Sequence, residues 1–389
     1  MKFGKFLVKW ISLALSVLFL GLVAACGEKS SGEKEKVKTL RYTATAATVD
    51  IGTPAEEEHV EYVNLFGRTM YRTNYQAVQF DNVASGFEVK FKGTAFYAEM
   101  RTIKQPKINP NREMYSVVCV FVDGAQDPLQ TIINVETEAF EKYTLCEGLP
   151  EGEHTVKVLK TDDPLVSSWL VRGYETDGEL LPAPERKQLR IEAYGDSITS
   201  GGDSLIGDGP SYDVVPGTGH GAATYATFAA QDLNAEINVF SRSGICLYAA
   251  SSADQINVVE KIYKNVSPLN ANPWSLERYV PDIVLIGLGT NDELGNQFSV
   301  NGFAAALRRM ITGLSEAYGK DTAFVCVYGY MNKNNDVENA IESVKNTMLP
   351  DGYKVHSLKF QKAVNGHPSV AEHRAGGYQL SAFLRTLGY

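Results

Sequence analysis

The residue pattern changes its period near residue 185, and this change limits the folds that the chain can adopt. Before it, short β-prone runs predominate; in residues 87–92, FEVKFK, every second side chain is apolar, as in a half-buried strand. Turn residues such as Asp123 and Gly124 end these runs. Because no long segment with a 3.6-residue period interrupts the region, we expect an all-β, jelly-roll-like sandwich over residues 39–185.

After this point the pattern alternates between strand and helix. The β-prone runs lie at 189–194, 236–240, 282–287, 322–327 and 353–356. The helical patterns lie between them, at 222–233, 253–263, 302–318 and 336–348. Such alternation is typical of a parallel sheet with helices on both faces. The sequence therefore predicts a three-layer α/β domain over residues 186–389.

The first 25 residues have the pattern of an export signal. Lysines precede an apolar stretch at 10–22, which is shorter than the roughly 20 residues that a membrane-spanning helix needs. The small residues that follow, VAA, lead into Cys26, and this arrangement resembles the lipobox of bacterial lipoproteins. The resemblance implies a lipid on Cys26, a tether at 26–38 and a location on the extracellular or periplasmic face of the cell membrane. The alternative is an ordinary secretory signal that happens to precede a cysteine.

Charge and cysteine usage exclude several classes of partner. The chain has 37 Lys and Arg against 46 Asp and Glu, a formal net charge of −9, and no basic run, so we expect no nucleic-acid partner. The cysteines after Cys26 lack C-x-x-C spacing and the histidines lack ligand spacing with carboxylates, so we expect no metal site and no cofactor. Cys119 and Cys146 are either a disulfide or two buried free thiols, and the apolar run around Cys119 favours free thiols.

Several short polar segments follow the predicted strands. The first strand runs into GDSIT at 195–199, the second into SRSG at 241–244, and the third ends in GLGTND at 287–292. A further segment, GHP at 366–368, precedes the last helical pattern. Because ligands bind beyond the carboxyl ends of the strands in open parallel sheets, we expect these segments to meet at one edge of the sheet.

These segments, in this order, resemble the signature blocks of the SGNH (GDSL-type) hydrolases. The β-rich region followed by LLPAPERKQLRIEAYGDSIT is similar to carbohydrate esterase family two, which removes acetyl groups from polysaccharides. The resemblance implies that Ser197 is the nucleophile and that His367 is its base. It also implies an oxyanion hole made of the backbone N–H groups of Ser197 and Gly244 and the side-chain amide of Asn291.

Ester hydrolysis needs these residue types for physical reasons. A serine hydroxyl becomes an effective nucleophile beside a base, and an imidazole can take its proton and return it to the leaving alkoxide. Gly244 leaves room near the tetrahedral carbon, and Asn291 supplies a neutral donor for the oxyanion. Each residue also has a structural alternative. Ser197 and Asn291 fit helix N-caps, Gly244 fits an ordinary turn, and His367 fits a loop position without a chemical role.

Two positions depart from the pattern of the family. The superfamily usually has an aspartate three residues before the histidine, and this chain has Val364 there. The residue directly before the histidine, often aromatic in family two, is Gly366. Since Val364 cannot accept a hydrogen bond, the sequence predicts a Ser-His dyad in which a backbone carbonyl orients His367 through Nδ1. His373, further along, is interpreted as a surface residue.

The sequence thus predicts a lipid-anchored carboxylic ester hydrolase that removes O-acetyl groups from polysaccharides or oligosaccharides through an acyl-enzyme on Ser197. Two alternatives remain open. One is a hydrolase of lipids or other small esters, and the other is a surface glycan-binding protein without catalytic activity. The expected partners are an acetylated carbohydrate and, through the N-terminal lipid alone, the membrane.

Overall fold

The computed structural model describes residues 36–42, 61–105, 114–206, 217–248, 258–294, 298–364 and 366–389. Lys36–Tyr389 form one compact unit. The predicted signal peptide, Cys26 and the first part of the predicted tether lie outside the described residues. Within the described ranges, no helix is both long and apolar enough to cross a membrane.

The N-terminal part of the compact unit consists of antiparallel strands. These are β1 Thr39–Arg41, β2 Val63–Phe66, β3 Thr69–Arg72, β4 Ala77–Phe80, β5 Gly86–Gly93, β6 Phe96–Lys104, β7 Ser116–Val122, β8 Gln130–Val135, β9 Glu141–Cys146, β10 Gly152–Lys160, β11 Ser167–Thr176 and β12 Glu179–Leu181. One sheet has the order β3-β4-β11-β6-β9, with β1 also paired to β11. The other has the order β12-β5-β10-β7-β8, with β2 also paired to β5.

The two sheets share one apolar core. In β5 the side chains of Phe87, Val89 and Phe91 are fully buried, which confirms the alternation predicted from the sequence. The ring of Phe87 lies 5.8 Å, centroid to centroid, from the indole of Trp169, which belongs to β11 in the facing sheet. Because apolar faces of both sheets meet in this core, the β-rich part is a sandwich.

The C-terminal part is built on a parallel sheet with strand order β14-β13-β17-β18-β19. Its strands are β13 Arg190–Gly195, β14 Glu236–Ser241, β17 Ile283–Gly287, β18 Ala323–Tyr328 and β19 Lys354–Lys359. A hairpin, β15 Asn265–Ser267 and β16 Asn270–Pro273, lies outside this sheet. The helices are α1 Tyr225–Asp232, α2 Val259–Ile262, α3 Thr290–Leu294, α4 Val300–Tyr318, α5 Asp336–Met348 and α6 Val370–Thr386.

Helices cover both faces of the parallel sheet. Successive side chains of β17 point to opposite faces of the sheet, so alternate residues of this strand belong to different apolar cores. Val284 and Ile286 pack with apolar residues of α4 and α5. Ile283 and Leu285 pack with apolar residues of α1 and α6. The predicted three-layer α/β arrangement is therefore present.

The strands and helices predicted in this part are confirmed, with shifts of their ends. The last strand continues to Lys359, three residues beyond the predicted end at residue 356. The helix predicted at 253–263 is present as Val259–Ile262, and residues 249–257 are outside the described part.

A fully buried ion pair joins the sandwich to the parallel sheet. Arg68, which directly precedes β3, donates to Glu192 Oε1 through Nε at 3.2 Å and Nη2 at 2.9 Å. The guanidinium also donates to Tyr194 Oη and, through Nη1, to the carbonyls of Tyr263 and Asn265. Because Glu192 and Tyr194 lie on β13, this contact connects the sandwich to the strand that directly precedes the Ser197 turn. We call this set of contacts the junction.

Candidate active site

Ser197 lies in a tight turn directly after β13. The Asp196 carboxylate accepts a hydrogen bond from Ile198 N at 3.0 Å, and the Ser197 carbonyl accepts one from Gly202 N at 2.8 Å. Gly195 is required before the turn, because a Cβ there would lie 1.9 Å from Thr199 Oγ1. The structural alternative for Ser197, a helix N-cap, is wrong: residues 197–205 form consecutive turns, and the next helix, α1, begins at Tyr225.

His367 contacts Ser197 from the loop that precedes α6. Its Nε2 lies 2.7 Å from Ser197 Oγ. Glu372 in the first turn of α6 holds this loop on both sides, because its carboxylate accepts hydrogen bonds from Val364 N at 2.9 Å and from Ser369 N at 2.8 Å. The imidazole is consequently fixed by the start of the helix and faces the serine hydroxyl.

The other ring nitrogen of His367 faces a carboxylate. Nδ1 lies 3.0 Å from Asp203 Oδ2, and the side chains of both residues are 11% exposed. The prediction of a Ser-His dyad oriented by a backbone carbonyl is therefore wrong. Asp203 has a φ of 54°, in the left-handed region that Asp and Asn tolerate best, and this turn directs its carboxylate to the imidazole. Val364, by contrast, is 84% exposed.

Ser197, His367 and Asp203 line a pocket of about 200 Å³ together with Gly244 and Asn291. The structure thus brings all four residues predicted for the site into one place. A sandwich loop, residues 161–166, contributes Asp162, Asp163 and Val166 to the wall of the same pocket. The sequence alone did not indicate that the sandwich reaches the site.

Three N–H groups around Ser197 are available as donors. In the described part of the chain, the backbone N–H groups of Ser197 and Gly244 have no hydrogen-bond acceptor. Asn291 donates one Nδ2 hydrogen to the carbonyl of Ile245 at 3.0 Å, which fixes the amide and leaves its second hydrogen available. Gly244 has a φ of 75°, a conformation that favours glycine.

Two buried carboxyl groups support the turns of the pocket. Burial raises the pKa of Asp196 to about 6, although its hydrogen bond from Ile198 N acts in the opposite direction. Burial raises the pKa of Asp292 to about 7, against the lowering effect of the backbone N–H groups of Tyr248 and Leu247. Asp292 accepts from those two groups at 3.0 Å each and so ties α3 to the chain after Gly244.

His373 is fully buried, so its interpretation as a surface residue is wrong. Its Nδ1 accepts a hydrogen bond from Tyr225 N at 3.2 Å, and its ring stacks on that of Tyr225. Burial lowers the pKa of His373 to about 3, which keeps the imidazole neutral.

Cys119 and Cys146 are buried free thiols. Among the described residues, no group of three or more His, Cys, Asp or Glu side chains is placed to hold a metal ion.

Two family models match consecutive parts of the chain. Residues 65–184 match the model described as Carbohydrate esterase 2 N-terminal. Residues 193–357 match the model described as GDSL-like Lipase/Acylhydrolase family. Over these residues the C-terminal domain is similar to the GDSL-type hydrolases, and the domain before it is similar to the N-terminal domain of carbohydrate esterase family two.

A curated relative agrees with this pair of matches. The chain is 28% identical over 277 residues to the cellulase/esterase CelE of Acetivibrio thermocellus. The alignment covers 68% of this chain and 33% of CelE, so the chain spans about a third of that protein's length.

Solved structures of esterases, two of them described as family two carbohydrate esterases, share the fold. The esterase from Clostridium thermocellum in complex with cellohexaose has a TM-score of 0.74 at 24% identity, over 84% of this chain and 99% of that one. The esterase from Cellvibrio japonicus has a TM-score of 0.73 at 18% identity, over 90% of this chain and 97% of that one. An acetyl xylan esterase from Butyrivibrio proteoclasticus has a TM-score of 0.72 at 17% identity, over 90% of this chain and 98% of that one.

Proposed function

We propose that this protein is a carboxylic ester hydrolase that removes O-acetyl groups from polysaccharides or oligosaccharides. The observation that carries the proposal is the hydrogen-bonded series Ser197–His367–Asp203, with distances of 2.7 Å and 3.0 Å, beside three available N–H donors. A nucleophile within reach of a base, a base oriented by a third group and donors for an oxyanion are the parts that acyl transfer requires.

The first half of the reaction transfers the acetyl group to the enzyme. His367 Nε2 takes the proton from Ser197 Oγ, and Oγ forms a bond to the acetyl carbonyl carbon while the carbonyl oxygen becomes an anion. The three N–H donors stabilise that anion. The intermediate then collapses, the bond to the sugar oxygen breaks, and the imidazolium returns the proton to this oxygen. Ser197 is left as an acetyl ester.

The second half repeats these steps with water as the nucleophile. His367 takes a proton from the water, whose oxygen attacks the acetyl carbon, and Ser197 leaves as the alkoxide and is reprotonated. Acetate is the product. Asp203 contributes by holding the tautomer with a hydrogen on Nδ1 and by stabilising the imidazolium that forms in each half.

The size of the pocket supports a short acyl group. A volume of about 200 Å³ is smaller than the range of about 300–1,000 Å³ typical for drug-sized ligands. It suits an acetyl group and the sugar carbon that bears it better than a long acyl chain. The name of the acetyl xylan esterase supports an acetyl group on a polysaccharide as substrate, and that of CelE supports an esterase.

We further infer the location and the domain limits from the sequence. The pattern before Cys26 supports a lipid on this cysteine, which would hold the protein at the outer face of the cell membrane. The change of residue pattern supports a sandwich over 39–185, of jelly-roll-like topology, and a hydrolase domain over 186–389. Replacing Cys26 by serine should release the protein from washed membranes; equal retention of both forms would contradict the anchor.

The substrate class is tested by comparing acyl lengths and polymers. The purified protein should hydrolyse 4-nitrophenyl acetate much faster than the butyrate or longer esters, and should release acetate from at least one of a panel of acetylated xylans, mannans and peptidoglycan. Ser197→Ala is the matched control and should lose nearly all of both activities. Faster turnover of long-chain esters would indicate a lipid esterase, and no turnover with retained glycan binding would indicate a binding protein.

A further inference from the structure

The sandwich touches the candidate site through Asp163. Its Oδ2 accepts hydrogen bonds from Ser243 N at 2.8 Å and from Ser243 Oγ at 2.9 Å. Its Oδ1 accepts one from Leu165 N at 2.9 Å, so the carboxylate is fixed within its own loop. Asp163 is buried, and it lines the pocket that holds Ser197.

The neighbouring Asp162 anchors the base of this loop. Its carboxylate accepts from the buried Lys160 ammonium at 2.8 Å, from Ser167 Oγ at 2.6 Å and from Val117 N at 2.8 Å. These partners all belong to the sandwich. Asp162 therefore holds the loop to its own domain, whereas Asp163 extends from the loop to the hydrolase domain.

The segment that Asp163 contacts carries an available N–H donor of the site. Ser243 directly precedes Gly244, and both its backbone N–H and its hydroxyl are bound by the one carboxylate oxygen. On the other side of Gly244, the carbonyl of Ile245 is bound by Asn291, and Leu247 N is bound by Asp292. The Gly244 N–H thus lies between two restrained segments of the chain. The sandwich holds the residue before Gly244, and α3 holds the residues after it.

We propose that Asp163 is a positioning residue of the esterase reaction, which aims the Gly244 N–H at the oxyanion through Ser243. The inference rests on the proposed function. A carboxylate beside a developing oxyanion is electrostatically unfavourable, so the value of Asp163 lies in its hydrogen bonds and not in its charge. An asparagine keeps one acceptor oxygen for the two Ser243 hydrogen bonds but turns its Nδ2 toward the Leu165 N–H, so it should preserve part of the effect.

The test compares Asp163 with a second buried aspartate at the contact between the sandwich and the hydrolase domain. Asp81 accepts from Ser267 Oγ and Asn270 Nδ2, both at 3.2 Å, and none of these three residues lines the pocket. Asp163→Ala, Asp163→Asn and Asp81→Ala are compared with wild type for kcat and KM on 4-nitrophenyl acetate and for the unfolding temperature. Asp163→Ala should lower kcat by about 10- to 100-fold with KM within about twofold. Asp163→Asn should recover part of the loss.

Asp81→Ala should lower the unfolding temperature and leave kcat within about twofold of wild type. Equal kcat in Asp163→Ala and wild type would overturn the inference and leave the proposed function intact. Equal losses of kcat in Asp163→Ala and Asp81→Ala would also overturn the inference. An inactive wild type would instead overturn the proposed function. Hydrogen exchange of the backbone amides in residues 243–248 measures directly whether Asp163 restrains this segment. Exchange should be faster in Asp163→Ala than in wild type, and unchanged exchange would contradict the restraint.

Discussion

The junction and the candidate active site both involve strand β13, and both are built from charged and hydrogen-bonding side chains. In the junction, Arg68 and Glu192 are fully buried, and the guanidinium donates to several oxygens. At the site, His367 and Asp203 retain partial exposure beside a cavity, and N–H groups there have no acceptor in the described chain. A closed network stabilises the fold, whereas a network with available groups facing a cavity can do chemistry.

This difference predicts a separation of effects. Substitutions at the site should reduce activity with little change in stability. Substitutions in the junction should reduce stability with little change in the activity of the folded protein. A variant that showed the opposite pattern would break the comparison.

Removal of the acid at the site should have the largest effect. Asp203→Ala should lower kcat on 4-nitrophenyl acetate by about 10²- to 10⁴-fold, because His367 loses the group that sets its tautomer and stabilises its charged form. The midpoint of urea unfolding should stay close to that of wild type. Activity within about tenfold of wild type would show that Asp203 does not orient the base.

Removal of the cation in the junction should have the next largest effect. Arg68→Met leaves the fully buried Glu192 without its partner, which should lower the free energy of unfolding by about 3–5 kcal/mol. Urea unfolding measures this loss. The double variant Arg68→Met with Glu192→Gln should be more stable than the single one, since no uncompensated buried charge remains. A large fall in kcat per folded molecule would mean that the junction also acts on the site.

A smaller, pH-dependent effect is expected in the sandwich. His154 Nδ1 lies 2.8 Å from Asp123 Oδ2, and its Nε2 lies 2.8 Å from the Pro150 carbonyl. The hydrogen bond to Asp123, and then that to Pro150, raise the pKa of His154. A raised folded-state pKa gives stability that is complete below the unfolded pKa of about 6.5 and is lost as pH rises through the folded value.

His154→Gln should therefore flatten the fall in unfolding temperature between about pH 6 and pH 8. Thermal unfolding across this range measures the slope. Esterase activity of the folded variant should be unchanged, because neither His154 nor Asp123 lines the pocket. An unaltered slope would contradict the assignment.

The smallest effect is expected at the position where the family usually has its acid. Val364→Asp should leave kcat within about twofold of wild type, because the Val364 side chain points to solvent and His367 Nδ1 already contacts Asp203. The double variant Asp203→Ala with Val364→Asp should stay as inactive as Asp203→Ala alone. Restored activity in the double variant would show that position 364 can reach the histidine.

The parts of the site that could be predicted are those encoded by short segments at strand ends. Ser197, Gly244 and Asn291 each follow a strand of the parallel sheet, so strand order brings them together, and His367 was found from the segment that precedes the last helix. Asp203 was missed because its carboxylate reaches His367 only through a left-handed turn, which is not part of any strand or helix pattern. It lies only six residues after Ser197, and the glycine pair before it was the available signal.

The missed contacts between the domains have a different cause. Asp163 and Ser243 are 80 residues apart, and Arg68 and Glu192 are 124 apart. Neither pair has a periodic pattern or a local motif. Their meeting depends on how the core of the sandwich packs against that of the parallel-sheet domain, which composition and periodicity do not determine.

Covalent labelling of the nucleophile tests the central claim most directly. A fluorophosphonate reacts with an activated serine by forming an O–P bond with loss of fluoride, and the adduct is stable enough to be mapped by mass spectrometry. The account predicts one adduct, on Ser197, that is absent in Ser197→Ala and forms far more slowly in Asp203→Ala. An adduct on another residue, or an active wild type that is not labelled at Ser197, would contradict it.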